Sequence, residues 1–483
     1  MITFIICLVL LVGAYFVYGS YLQKVALKDA NPQVPSQLLY DGVDYVPLPL
    51  WKTLLIQLLN IAGLGPIFGA VLGATYGPVA FLWITLGGIF FGAMHDYLAG
   101  MISLENQGLS LPEIIGKYLG VTVKQFMRGF SVLLMVLVGA VFICGPAAII
   151  EGMTGITNLS IAEGITVPKF WIWAIFLYYI LATLLPIDKI IGKIYPIFGA
   201  ALIFMALGIM IVLFVGDYNL VELNTLSNMK VDADKFPILP TLFITIACGA
   251  ISGFHATQSP LMARCINNPK EGRPVFFGAM IIESIIALVW AAIAMAFFGG
   301  VEALQSTLAE HGQNAGWVVN LIANTTLGRV GGILALFGVV AAPISSGDTA
   351  FRSARLIVAD TLNIEQKSLR KRLCVSLPLF AVGYLITQVN FDVIWRYFAW
   401  INQTMAVVTL WAITVYLFKK GKNIYIAMVP AIIMSYVCSL YMFISGEMLA
   451  LPFNVGYVLA GVLTLIILCY FINIFRKNES TAV

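Results

Sequence analysis

The sequence predicts an all-α polytopic membrane protein of about thirteen transmembrane helices, two of them broken and set five spans apart in a 5+5 inverted repeat. Three observations carry that prediction: an apolar composition, a one-sided distribution of basic residues between successive spans, and Gly/Pro interruptions inside the second and seventh apolar runs.

Of the 483 residues 60% are hydrophobic and 10% charged, with a mean hydropathy of +0.95. Soluble domains are roughly 45–50% apolar and about 25% charged, and no soluble core hides this much apolar surface. A span needs about 20 mostly apolar residues, and such runs fall near 2–19, 53–73, 77–104, 127–150, 170–187, 194–216, 237–257, 275–298, 330–348, 373–388, 393–418, 423–444 and 453–475. The first run lacks a basic leader and a small-residue cleavage site, so it reads as a retained helix. Seven cysteines are scattered with no CxxC and no His/Cys ligand spacing, which argues against a disulfide framework and a zinc site.

Cytoplasmic loops carry the excess of Lys and Arg. With thirteen spans and the N-terminus outside, 22 of the 27 basic residues fall on the cytoplasmic side and 5 outside. That places the Arg352–Arg372 cluster and the C-terminus in the cytoplasm. The net charge of +4 sits in loops and speaks to topology, not to nucleic acid. The expected organisation is an N-terminal helix and loop (1–52), a first five-helix repeat (53–216), a second, inverted repeat (237–418) and two C-terminal helices (419–483).

The second run contains Asn60-Ile61-Ala62-Gly63-Leu64-Gly65-Pro66, and the seventh Ala247-Cys248-Gly249-Ala250-Ile251-Ser252-Gly253-Phe254-His255. Proline removes a donor and clashes with the preceding turn, while glycine tolerates unwound backbone, so both helices are expected to break. Small residues also let helices pack closely, but two such stretches at equivalent places in opposed repeats favour the LeuT-like arrangement, in which ligands bind at discontinuous helices near the midplane. Gly63, Gly65, Pro66, Gly249, Ser252, Gly253 and His255 are therefore the expected substrate-binding positions.

A charge in hydrocarbon costs about 2.5–3.5 kcal/mol on insertion scales, so those that remain face a cavity or a partner. The third run presents Gly88, Gly92, Asp96 and Gly100 at i+4 spacing with His95 beside the carboxylate; the eighth presents Ala279, Glu283, Ala287 and Ala291. Glu283, Asp96 and His95 are candidate proton-coupling groups, with structural hydrogen-bond anchoring as the alternative. His255 can exchange a proton near neutral pH. In the ninth run Ser345, Ser346, Asp348 and Thr349 offer hard oxygens to a small cation, with carbonyls of the unwound second helix completing the shell; Asp348 can instead pair with Arg352 one turn on.

These segments, taken in order, resemble the carbon starvation protein A family. The resemblance rests on Gly65-Pro66-Ile67-Phe68-Gly69-Ala70, Gly92-Ala93-Met94-His95-Asp96, the block from Ile244 to His255, Asp348 to Arg355, and Asn402-Gln403. It implies uptake of peptides or pyruvate driven by a proton gradient in a bacterial inner membrane. The expected function is a symporter for a small carboxylate-bearing metabolite working by alternating access, with a sodium-coupled amino-acid or peptide transporter as the alternative. No HExxH or GxSxG motif supports an intramembrane enzyme, and a channel is the remaining class. The expected partners are a small-molecule substrate and the lipid bilayer, with no nucleic acid, no metal and no cofactor beyond a coupling H+ or Na+; oligomeric state is left open.

Overall fold

Backbone N–H and C=O groups in hydrocarbon must find partners within the protein, and each of the thirteen apolar runs accordingly contains helix. A computed structural model describes residues 1–27, 33–42, 44–156, 158–162, 165–167, 169–184, 187–224, 226–366 and 368–480. Helix α1 spans Ile2–Leu27; α2 is split into α2a (Leu50–Ile61) and α2b (Gly65–Tyr76), bent by 56°. Then come α3 (Val79–Glu105), α4 (Val121–Glu151), α5 (Phe170–Leu184) and α6 (Tyr195–Val215). Helix α7 is also split, into α7a (238–245) and α7b (Gly253–Ala263). The rest are α8 (Pro269–Phe297), α9 (Gly331–Leu362), α10 (Leu369–Ile386), α11 (Val393–Lys419), α12 (Tyr425–Ile444) and α13 (Phe453–Arg476).

Among the described residues nine of these are long and apolar enough to cross a membrane, and the bent α2 pair makes a tenth. The other three fall short for visible reasons. Helix α5 is shorter, α7 is interrupted, and α10 opens on Arg370, Lys371 and Arg372. One departure from an all-α chain is a two-stranded antiparallel ribbon, Leu159–Ala162 with Ile165–Val167, between α4 and α5.

Burial separates the inner helices from the lipid-facing ones. The apolar windows of α8 and α11 are 83% buried and those of α3 and α4 78%, against 28% for α1 and 22% for α13. The inner helices pack as α9 on α4, α11 on α4 and α7b, α7b on α3 and α2a, and α8 on α3 and both halves of α2. The two broken helices therefore lie at the centre. The small face read from the third run is used for close approach: a Cβ on Gly88, Gly92 or Gly100 would overlap Ser284, Met280 or Phe276 of α8. Helix α9 runs on to Leu362, so Arg352 and Arg355, counted above with the cytoplasmic loop, are buried inside it. Of the two, Arg352 reaches polar partners, its Nη2 lying 3.5 Å from the Ala182 carbonyl and 3.7 Å from Asp348 Oδ2.

Candidate functional site

Helix α2a stops where Ala62 leaves helical backbone (φ −83°, ψ 67°), and α2b restarts with Gly65 and Pro66, whose missing N–H costs nothing in a first turn. Helix α7a stops at Ile246 (φ −100°, ψ 72°); Gly249 takes φ +91°, which glycine adopts without strain, and Ser252 is extended before α7b. The two breaks touch. A Cβ on Gly65 would overlap the Cys248 side chain, one on Gly69 would come 3.0 Å from the Thr245 carbonyl, and one on Gly249 2.7 Å from Ala287 Cβ. Gly63 packs against Phe142 of α4, and Gly253 against Met405 and the Asn402 backbone of α11.

Helix α11 braces both halves of α7. Asn402 Oδ1 accepts from the Phe254 N–H at 2.7 Å, its Nδ2 donates to Ser252 Oγ at 2.9 Å, and Gln403 Nε2 donates to the Phe243 carbonyl at 2.7 Å. One amide thus satisfies an orphan donor at the start of α7b and the next an orphan acceptor near the end of α7a. A break at membrane depth persists because these groups are paired inside the protein.

Beside the breaks, four ionisable side chains form a line. His95 Nδ1 is 2.8 Å from Asp96 Oδ1, His255 Nδ1 is 2.8 Å from Asp96 Oδ2, and His255 Nε2 is 3.4 Å from Glu283 Oε2. All four are fully buried. Glu283 stands midway along α8, because that helix begins at Pro269, six residues before the run read from sequence. A buried charge needs a partner. Were both imidazoles to donate through Nδ1, Asp96 would be paired as an anion, leaving His255 Nε2 facing Glu283 and His95 Nε2 without a hydrogen-bond partner among the described residues. Helix α3 bonds i→i+5 from Trp83 to Ala93, just before His95-Asp96, a widened turn often found at functional positions. Cys248 Sγ, His255 and Glu283 also place ligand atoms within 4.8 Å of one another, so a divalent cation here would compete with protons for the same atoms.

On α9 the hydroxyls divide. Ser346 Oγ donates to the Leu59 carbonyl of α2a at 2.6 Å, Ser345 Oγ to the Ala342 carbonyl at 2.6 Å and Thr349 Oγ1 to the Ser346 carbonyl at 2.9 Å. Asp348 turns elsewhere, accepting from Tyr195 OH at 2.9 Å with Arg352 Nη2 at 3.7 Å. Ser346 thus donates directly to a helix 2 carbonyl, and Asp348 lies beside Tyr195 and Arg352. Sequence reasoning missed Gln57 and Asn60, buried amides of α2a whose side chains have no hydrogen-bond partner among the described residues. Their signal was two amides three apart in an apolar span, within two turns of the break.

The chain matches the profile of the family described as Carbon starvation protein CstA over residues 1–168 and 146–331. An "Uncharacterized membrane protein" of Haemophilus influenzae is 44% identical over 351 residues, 64% of this chain and 94% of that one. The "Peptide transporter CstA" of Bacillus subtilis is 28% identical over 82% of each chain. The "Pyruvate/proton symporter BtsT" of Escherichia coli is 27% identical over 57% of this chain and 46% of its own. Among solved structures, a mutant of the Eremococcus coleocola manganese transporter covers 91% of this chain and 98% of its own with a TM-score of 0.50 at 12% identity, a likeness of fold alone.

Proposed function

The chain belongs to the carbon starvation protein CstA family, and from that premise we propose that it is a proton-coupled symporter importing a small carboxylate-bearing metabolite, pyruvate or a short peptide, by alternating access. The observation that carries the reading is the buried line His95–Asp96–His255–Glu283, which joins α3, α7b and α8 beside both breaks. A proton taken up or released by the Glu283–His255 pair changes the net charge where α7 is interrupted, and a substrate carboxylate placed there would feel that change in low dielectric. In this reading the substrate sits between Gly63, Gly65 and Pro66 of α2 and Gly249, Ser252 and Gly253 of α7, with the unpartnered amides Gln57 and Asn60 available to its polar groups. The half-helix N-termini of α2b and α7b favour its negative end.

Sodium coupling is the second reading, favoured by one contact. Ser346 Oγ lies on the Leu59 carbonyl just ahead of the α2 break, and hydroxyl and carbonyl oxygens are hard ligands. Uptake of labelled pyruvate, alanine and a dipeptide into proteoliposomes, under an imposed proton or sodium gradient, tests both. Pyruvate or dipeptide accumulation driven by an inward proton gradient without sodium is expected; accumulation that needs sodium and ignores the proton gradient overturns the proton assignment.

The repeat layout 53–216 and 237–418 and the orientation belong to the same proposal. A reporter fused after Val483 is expected to read as cytoplasmic and one inserted in residues 445–452 as external; reversed readings would sink the thirteen-span topology.

A further inference from the structure

A cavity of about 780 Å³ opens at the end of the molecule where the 217–236 loop, the helix Val301–Glu310 and residues 445–447 gather. Its wall includes Tyr76 of α2b, Thr245 at the end of α7a and Ala399 of α11, one turn before Gln403, so it extends as far as the last helical residue before the α7 break. Five charged side chains line it: Lys230, Asp232, Lys235, Arg396 and Glu447. Four of them are already matched. Lys235 Nζ lies 3.4 Å from Asp232 Oδ1, and Arg396 Nε 2.7 Å from Glu447 Oε1, whose other oxygen accepts from Ser445 Oγ at 2.7 Å.

Lys230 is left over. Its ammonium donates to Thr75 Oγ1 at 3.1 Å and stands 5.0 Å from the Tyr76 ring centre and 5.2 Å from that of Phe236, with no carboxylate at ion-pair distance among the described residues. Two aromatic faces stabilise a cation without neutralising it. Burial holds its pKa below the usual lysine range, opposed by the nearby Asp232 charge. The loop that carries it is pinned: Met229 N donates to the Tyr76 carbonyl at 3.2 Å, Val231 N to Gln305 Oε1 at 2.8 Å, and Gln305 Nε2 to the Met229 carbonyl at 2.9 Å. The ammonium is thus held over the cavity by structure and not swung there by a free side chain.

We propose that this cavity is a capture subsite for the carboxylate of an incoming substrate, with Lys230 as its counter-ion, and that it selects a simple carboxylate anion over a zwitterionic peptide. The inference rests on the symporter reading above and narrows its substrate class. A peptide brings an ammonium that needs an acid; Glu447 is engaged by Arg396 and Ser445, and Asp232 shares its charge between Lys235, in an exposed pair, and the nearby Lys230. A monocarboxylate brings only the charge that Lys230 lacks. A cationic, low-dielectric vestibule also raises the local concentration of anions.

The test is initial-rate uptake of labelled pyruvate into proteoliposomes, with pyruvamide, its uncharged amide, as competitor. In Lys230→Met the KM is expected to rise about tenfold, as for loss of one charged hydrogen bond, with maximal rate within about twofold and weaker discrimination against pyruvamide. Lys230→Arg keeps the charge and is expected to stay within about threefold of wild type. An unchanged KM in Lys230→Met, or an equal rise in both variants, would overturn the subsite. Should wild-type protein take up no pyruvate, the symporter reading fails by itself, and equilibrium dialysis of labelled pyruvate against purified protein still decides the subsite. Binding weakened about tenfold by Lys230→Met upholds it; no binding, or equal binding, removes it.

Discussion

Glu283→Gln is expected to abolish proton-driven accumulation while leaving substrate exchange across the membrane within about threefold of wild type. At one proton per substrate, a gradient of one pH unit supports about tenfold accumulation, since each 1.4 kcal/mol is a factor of ten. In wild-type protein His255 Nε2 faces Glu283 Oε2 at 3.4 Å, and Asp96 fixes the imidazole from the other side at 2.8 Å. A glutamine keeps the size and polarity of the side chain but carries no titratable proton, so the ratio inside to outside should fall to about one. Exchange survives because the amide keeps the shape and polarity that Glu283 presents beside Gly249 and His255. Asp96→Asn is expected to be more damaging, since two imidazoles, His95 and His255, share that carboxylate. Accumulation that persists in Glu283→Gln, Asp96→Asn and His255→Gln yet vanishes on withdrawing sodium would move the coupling to Ser346 and the Leu59 carbonyl.

Gly65→Leu and Gly253→Leu should each eliminate measurable substrate binding, a loss of about a hundredfold or more in affinity, while the protein remains inserted. A side chain at Gly65 runs into Cys248, so α2b and the α7 break must separate; one at Gly253 meets the Ala406 N and the Asn402 carbonyl, backbone atoms that cannot rotate away. Overpacking of this kind costs about 1–3 kcal/mol, concentrated where the two breaks are held in register. Gly461→Leu is the control, because nothing lies within 4 Å of a Cβ there. Thermal unfolding in detergent separates misfolding from loss of the site, and the alanine variants at 65 and 253 give a graded series. Substrate affinity retained in both leucine variants would take the site away from the breaks.

The sequence was most informative where residue type dictates backbone. Gly63 tolerates unwound backbone and Pro66 cannot bond back to the preceding turn, and α2 bends there by 56°; Gly249 sits at φ +91° inside the stretch read as weak. The end of the second break was less legible. His255 lies in the first turn of α7b, not in the unwound part, because the helix restarts after Ser252 with Asn402 Oδ1 accepting from the Phe254 N–H. Nothing in the local sequence announces a brace supplied 150 residues later.

Composition, proline and glycine placement, and the i+4 series Gly88-Gly92-Asp96-Gly100 determined from sequence alone that this is a helical membrane protein with two interrupted spans and a carboxylate on a close-packing face, because each is a property of one segment and its solvent. Which ionisable groups act together was decided only by tertiary structure. Asp96 and His255 are 159 positions apart, yet their polar atoms lie 2.8 Å apart. Asp348 accepts from Tyr195 with Arg352 nearby, while Ser346 donates to the Leu59 carbonyl of α2a. Lys230 has no carboxylate at ion-pair distance among the described residues, because Glu447 bonds Arg396 and Asp232 lies closer to Lys235. A single span fixes which face a side chain occupies, but not which of several neighbouring helices that face meets; that choice belongs to the packing of the whole bundle.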